Sequence, residues 1–261
     1  MKTGPFFLKS IIALIACCPV GPATAQSPRL GAPTSPVFTS LLSFDITDGS
    51  YPGAMSLVQG TDGNFYGVTG AGGIGTNCTY SDGCGTFFRV TAQGTLTTLY
   101  SFCALQNCAD GESPTAGVIL GTDGNFYGVT GRGGAGYGTV YKMTPSGVLT
   151  TLHSFIGTDG AVPEGVLVES NGVFYGTTYG LYGTTITYGT VYKITTAGAL
   201  TTLYNFCSLS GCADGFYPYA GLIQASDGNF YGTTSQGGDT NPCPKAIRVA
   251  GQCSASLRAG R

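Results

Sequence analysis

The hexapeptide Asp62-Gly63-Asn64-Phe65-Tyr66-Gly67 returns unchanged at residues 123–128 and 227–232, and in altered form as Asn171-Gly172-Val173-Phe174-Tyr175-Gly176. A motif returning about every 50 residues marks stacked copies of one supersecondary unit. The most complete copy spells that unit out. An apolar run, Ala116-Gly117-Val118-Ile119-Leu120, meets the Asp-Gly turn, and residues 125–130 follow it. A Gly-rich connection leads to Gly138-Thr139-Val140-Tyr141-Lys142-Met143, and a Pro145-Ser146-Gly147 turn introduces residues 149–155.

These segments are short, rich in β-branched and aromatic residues, and separated by hairpin-type turns, which predicts four antiparallel strands per unit. Four strands at this period predict an all-β chain built of β-propeller blades. Third strands are expected again at residues 86–90 and 190–194, and fourth strands at 96–102 and 200–206. The first strand of a blade lies nearest the axis, where space is tight. Ala54, Ala116, Gly117, Gly165, Ala220 and Gly221 are small enough for that place.

The two ends complement each other. Residues 37–44 match a fourth strand alone, whereas the C-terminal part supplies a first strand (221–225), a second (229–234) and a weak third (246–249). Three whole units and these parts predict four blades, with residues 37–44 closing the ring in the last one and removing its exposed edges. The alternative is an open arc of a larger propeller, because Pro244-Lys245-Ala246-Ile247-Arg248 departs from the Gly-Thr-Val-Tyr-Lys of earlier units. The expected organisation is a signal peptide at 1–25, a flexible leader at 26–36, the repeat domain at 37–250 and an irregular tail at 251–261.

At these motifs the chain resembles the GloVer tandem-repeat, or choice-of-anchor, proteins of bacteria. Their repeat carries Asp-Gly-Asn-Phe-Tyr-Gly-Thr-Thr, then Gly-Thr-Val-Phe-Lys, then Leu-Thr-Thr-Leu-Tyr-Ser-Phe, and the match runs from about residue 37 to 235 in four passes. The resemblance implies an exported or surface-associated protein. It implies no activity that maps onto particular residues.

The N-terminus reads as an export signal. Lys2 and Lys9 precede a short apolar core, and Ala23-Thr24-Ala25 fits a cleavage site before Gln26. That core is too short to span a bilayer. Leu14-Ile15-Ala16-Cys17 also fits a lipobox, so anchoring through a lipidated Cys17 is the rival expectation. Cleavage after Ala25 removes Cys17 together with Cys18 and leaves an even set of cysteines, which favours cleavage.

That set forms neighbouring couples: Cys78/Cys84, Cys103/Cys108, Cys207/Cys212 and Cys243/Cys253. Two couples sit in near-copies of one phrase, and the intervening unit lacks both members at residues 155–160. Cysteines lost as a couple read as disulfide partners, which again implies export. Zinc would need two couples brought together, and a repeat chain is expected to spread them over different units.

A net charge of −2 excludes the basic footprint of a nucleic-acid binder. Catalytic side chains are few. The only histidine, His153, takes the place of Tyr100 and Tyr204 in the sister strands, and no Gly-x-Ser-x-Gly elbow accompanies it. Asp62, Asp123 and Asp227 head the signature turns, and Asp48, Asp110, Asp159 and Asp214 recur ahead of the first strands. Aspartates repeated in every unit read as turn residues. Calcium at the second set is the alternative, but no EF-hand-like cluster of oxygen ligands supports it. No catalytic residue, metal or cofactor is therefore expected.

Asymmetry lies in the connections between second and third strands, which carry Tyr80, Tyr137, Tyr179, Tyr182 and Tyr188. A meander puts these connections on one face with the Cys-bearing loops, and variable aromatic loops on one face point to recognition of a glycan or a protein. A glycosidase or lyase using Glu112 or Glu164 near the axis is the second reading. It draws on a loose similarity of the Asp-Gly-Asn turns to streptogramin-lyase-like propellers, whose histidines this chain almost lacks.

Overall fold

The computed structural model describes residues 11–14, 38–52, 55–75, 78, 82–181, 187–238 and 245–249. They form an all-β chain of consecutive antiparallel sheets, the blades of a propeller. Blade one runs Val58–Gln59, Phe65–Thr69, Thr86–Val90, Leu96–Ser101 from inside to outside. Blade two is Ile119–Leu120, Phe126–Arg132, Thr139–Met143, Leu149–Ser154, and blade three is Val168–Ser170, Val173–Thr178, Thr190–Thr195, Leu200–Asn205. Blade four has three described strands, Ile223–Gln224, Phe230–Thr234 and Lys245–Val249.

The signature hexapeptide builds a blade and joins it to the next. Asp62 accepts the backbone N–H of Asn64 at 3.1 Å and the hydroxyl of Tyr66 at 2.9 Å, so the turn carboxylate fixes the ring four residues on. The same bond recurs from Tyr127 to Asp123 and from Tyr231 to Asp227, each at 2.7 Å. The adjacent phenylalanine receives the tyrosine of the preceding blade: Tyr66 meets Phe126 at 4.3 Å, Tyr127 meets Phe174 at 3.9 Å and Tyr175 meets Phe230 at 4.1 Å between ring centroids. The closing glycine makes room, because a Cβ on Gly128 would collide with the ring of Tyr141 on the third strand. Each interblade layer is thus a continuous apolar core, Tyr66 with Phe126 and Met143 in the first, Tyr127 with Phe174 and Ile194 in the second.

The second and third strands are also tied by paired threonines. Thr69/Thr86, Thr130/Thr139 and Thr178/Thr190 place their hydroxyl oxygens 2.9, 2.8 and 2.9 Å apart inside the core. Blade four breaks the pattern, since Thr234 faces Lys245 in register and its buried hydroxyl has no partner among the described residues.

The first strand is interrupted rather than continuous. In blade two, Glu112–Pro114 pairs with one end of Phe126–Arg132 and Ile119–Leu120 with the other. Single bridges Ser50↔Ala71, Pro163↔Thr178 and Phe216↔Gln236 mark the same upper segment in the other blades. The gap is where neighbouring blades touch by backbone: a Cβ on Gly165 would stand 2.5 Å from the Cα of Gly221. Small residues here answer to that approach, as expected for the axial strand.

Ring closure is not seen among the described residues, and the alternative expected from the sequence, an open arc, is what they form. Residues 37–44 were expected to complete the last blade, but Thr39–Ser43 pairs antiparallel with Ile11–Leu14, from the segment read as the export signal. The described blades therefore form an open array. The physical reason is that the β-branched apolar stretch Ile11-Ile12 makes a competent strand wherever a free edge is within its reach. The remainder of the expected signal peptide, the leader from 26, Cys17 and the tail from 251 lie outside the described residues.

Candidate functional site

The loop face of each blade starts from a residue in a left-handed conformation ahead of a proline. Tyr51, Ser113, Val162 and Tyr217 have φ of 52°, 55°, 54° and 57° and precede Pro52, Pro114, Pro163 and Pro218. Non-glycine residues occupy this region at a cost, largest for a β-branched side chain such as Val162. The return is an interblade backbone clasp. Ser113, Val162 and Tyr217 donate their N–H groups to the carbonyls of Cys84, Tyr137 and Tyr188 of the preceding blade. Tyr51, Val162 and Tyr217 accept from Gly70, Tyr179 and Ser235 of their own blade. The repeated X-Pro step carried this signal in the sequence.

The residue after each proline breaks the symmetry, being Gly53, Thr115, Glu164 and Tyr219 in order. Thr115 donates its hydroxyl to the carbonyl of Pro163 at 2.6 Å. Glu164 is half-buried without a hydrogen bond or ion pair among the described residues, and burial pushes its carboxyl up to about 7. Tyr219 is 63% exposed.

Around Tyr219 the rings converge. Tyr179 stacks on Tyr217 with centroids 4.7 Å apart and planes 18° apart, and Tyr219 meets Tyr179 edge-on at 5.6 Å. Tyr188 lies 5.6 Å from Phe216 and 6.4 Å from Tyr217, which touch each other at 4.8 Å. The fold thus unites Tyr179 and Tyr188, two tyrosines chosen from the sequence, with three aromatics that the sequence reading passed over. Phe216, Tyr217 and Tyr219 sit in the interblade segment, not in the variable connection. Tyr137 is elsewhere, its ring packed beside Gly157 and the core between blades two and three. Tyr80 and Tyr182 lie outside the described residues.

The other candidates resolve into structural pairs. His153 Nε2 lies 2.7 Å from Asp159 Oδ2, in the place where the Tyr100 hydroxyl donates to Asp110 and the Tyr204 hydroxyl to Asp214, also at 2.7 Å. Asp110 and Asp214 additionally accept backbone N–H groups of the loops they close, and Asp159 accepts that of Ile156. Asp45 and Asp48 cap each other's backbone in the first such loop. Glu169 holds the turn of the neighbouring blade, accepting the N–H and hydroxyl of Thr122 at 3.0 and 2.6 Å. Glu112 is buried in the strand Glu112–Pro114.

Disulfides join Cys78 to Cys84, Cys103 to Cys108 and Cys207 to Cys212. The fourth expected couple, Cys243 with Cys253, lies outside the described residues. One expectation is corrected here: the first two couples are not spread apart. The sulfurs of Cys84, Cys103 and Cys108 lie within 4.8 Å of one another, because the Ser113–Cys84 backbone bond draws both loops to one face. Paired as disulfides, these sulfurs are not the thiolates that bind zinc. On the outer side of blade one, an open groove of about 680 Å³ runs between Thr47, Ile74 and the outer-strand residues Thr98 and Tyr100. It shares no residue with the tyrosine cluster.

Interlocked four-stranded units with one variable, disulfide-braced face define a repeat-built propeller protein. The chain belongs to the Gloeobacter/Verrucomicrobia repeat family, whose model matches residues 31–243. No curated protein matches it. Among solved structures it is similar to a luciferin-regenerating enzyme, with 15% identity over 75% of this chain and 60% of that one at a TM-score of 0.44. A GH43 β-1,3-galactosidase gives 12% identity over 74% of this chain and 41% of the other, at 0.44. An α-L-arabinofuranosidase from Clostridium thermocellum gives 15% over 76% and 67%, at 0.40. The chain spans less than two thirds of the first two, and similarity of this degree carries nothing about activity. No helix among the described residues is long and apolar enough to cross a membrane.

Proposed function

We propose that this is an exported, non-catalytic propeller protein that binds a polysaccharide through the aromatic patch of blades three and four. The observation that carries the reading is the exposed ring of Tyr219, held by Tyr179, which is itself stacked on the buried Tyr217. Tyrosines fixed in this way present flat apolar faces with polar tips at little entropic cost, which suits sugar rings. Glu164 stands at the matching position of the adjacent blade, where a carboxyl group can hydrogen-bond sugar hydroxyls. Disulfides support export, since such bonds persist in oxidising compartments. The absence of a catalytic role is supported by the repeated structural pairing of His153, Asp110, Asp214 and Glu169.

A second reading keeps Glu164 as an acid in a glycosidase or lyase, favoured by the rise of its carboxyl toward neutrality. A glycan array on the exported chain, repeated with Tyr219→Ala and Glu164→Gln and run beside a turnover screen, separates the two. Binding lost in Tyr219→Ala without turnover in the parent supports the proposal. Binding unaffected by Tyr219→Ala overturns it, and turnover abolished by Glu164→Gln installs the second reading.

A further inference from the structure

The strand Thr39–Ser43 occupies the place of a blade's outer strand although no blade precedes it among the described residues. Three independent contacts say so. In each complete blade the third and outer strands pair with one residue skipped on the outer strand: Leu99 between Thr98 and Tyr100, Leu152 between Thr151 and His153, and Leu203 between Thr202 and Tyr204. Thr39–Ser43 skips Leu41 between Ser40 and Leu42 in the same manner. The bulged leucine then turns its carbonyl to a turn glycine of the following blade. A Cβ on Gly147 or Gly198 would meet the carbonyl oxygen of Leu99 or Leu152 at 2.5 Å, and one on Gly94 would meet that of Leu41 at 2.7 Å. Finally, Phe44 is buried against Phe88 with ring centroids 5.0 Å apart, as Phe102 is against Tyr141 at 5.1 Å and Phe155 against Tyr192 at 5.3 Å.

The slot beside Thr39–Ser43 is therefore a third-strand slot, and Ile11–Leu14 fills it at third-strand register. Ile11 faces Ser43 as Thr86 faces Ser101 and Thr139 faces Ser154. At the other end, Lys245–Val249 is a third strand without an outer one among the described residues. It pairs Lys245 with Thr234, the position of Thr86 opposite Thr69 and of Thr190 opposite Thr178. Among the described residues, Thr39–Ser43 is an outer strand with a borrowed third strand, and Lys245–Val249 is a third strand with no outer partner.

We propose that Ile11–Leu14 is a placeholder, and that Lys245–Val249 takes its slot once the N-terminal segment is removed, closing the array into a four-bladed ring. The register follows from the other blades: Lys245 opposite Ser43, Ala246 opposite Leu42, Ile247 opposite Ser40 and Arg248 opposite Thr39, with Leu41 bulged. Removal is hydrolysis of the Ala25–Gln26 peptide bond by the exporting cell's signal peptidase, water supplying the new carboxylate and amine. The two states exchange one strand for another on the same edge, so the apolar face of Phe44 and Leu42 against Phe88 and Val90 stays covered in both.

The test introduces Ser43→Cys with Lys245→Cys and maps non-reduced peptides of the exported, processed chain. A cross-link within one molecule is expected there, and none in a chain whose processing is blocked by Ala25→Phe. A cross-link between two copies, none at all in the processed chain, or an equal yield in the blocked chain overturns the proposal. Should the cysteine pair fail to fold, amide exchange in the unaltered processed chain decides. Protected amides throughout residues 39–43 and 245–249 are expected, and rapid exchange in either segment overturns the proposal.

Discussion

Tyr127 of blade two lies flat against Phe174 of blade three, with ring centroids 3.9 Å apart and planes 25° apart. Both rings are buried, and the Tyr127 hydroxyl is spent on its own turn at Asp123. One signature thus does two jobs: its aspartate closes a hairpin, and its Phe-Tyr pair transmits packing from blade to blade. Phe174→Ala is expected to cost about 3–5 kcal/mol, the range for emptying a buried phenylalanine site. Urea unfolding measures this, and a loss below about 1 kcal/mol would show that the blades are not held at this layer.

Replacing His153 with tyrosine is expected to leave folding and binding intact. Tyr100 and Tyr204 already make the equivalent bond to Asp110 and Asp214 at the 2.7 Å that separates His153 from Asp159. If His153→Tyr abolished a turnover present in the parent while the melting temperature held, the structural reading of this histidine would be wrong.

Tyr141 and Tyr192 are fully buried, and neither hydroxyl has a partner among the described residues. Blade one carries Phe88 at the same register, facing Gly67 as Tyr141 faces Gly128 and Tyr192 faces Gly176. An unsatisfied buried hydroxyl costs about 1–3 kcal/mol. Tyr141→Phe and Tyr192→Phe should therefore raise the unfolding midpoint or leave it unchanged. A clear drop in either variant would mean that the hydroxyl is bonded.

The Cys103–Cys108 bridge closes a short loop whose counterpart at 156–160 folds with Asp159 and no cysteines. Replacing both by serine should cost about 2 kcal/mol on the loop-closure estimate and leave the strands in place. Peptide mapping provides the independent check: with Cys84 so near, a Cys84–Cys103 bridge in the native protein would refute the assigned pairing.

Asp62 and Glu164 should act in opposite directions as pH changes. Hydrogen bonds from the Asn64 side chain and from Tyr66 outweigh burial and hold the Asp62 carboxyl below its usual 3.8. Its contribution is present above that value and is lost as acid protonates it in the folded state. Burial raises Glu164 from 4.5 to about 7, so its contribution is full below pH 4.5 and is lost as pH rises to 7. Denaturation midpoints measured across pH should lose the fall between 4.5 and 7 in Glu164→Gln. An unchanged slope in that variant would place the titration elsewhere.

The sequence by itself determined the blade. Its period, the turn at Asp62, the strand Thr86–Val90 and the small residues on the axial strand were legible because each depends on contacts within about 50 residues, repeated until the pattern stood out. The exchange of tyrosine for histidine at 153 was legible for the same reason. Only the tertiary structure decided what neighbouring units do to one another. Cys84 meets Cys103, and Tyr217 and Tyr219 join Tyr179, because left-handed residues ahead of prolines clasp each blade to the one before. The partner of Thr39–Ser43 was likewise beyond reach, since a strand edge accepts any strand of suitable register, and backbone hydrogen bonds carry no record of which one will arrive first.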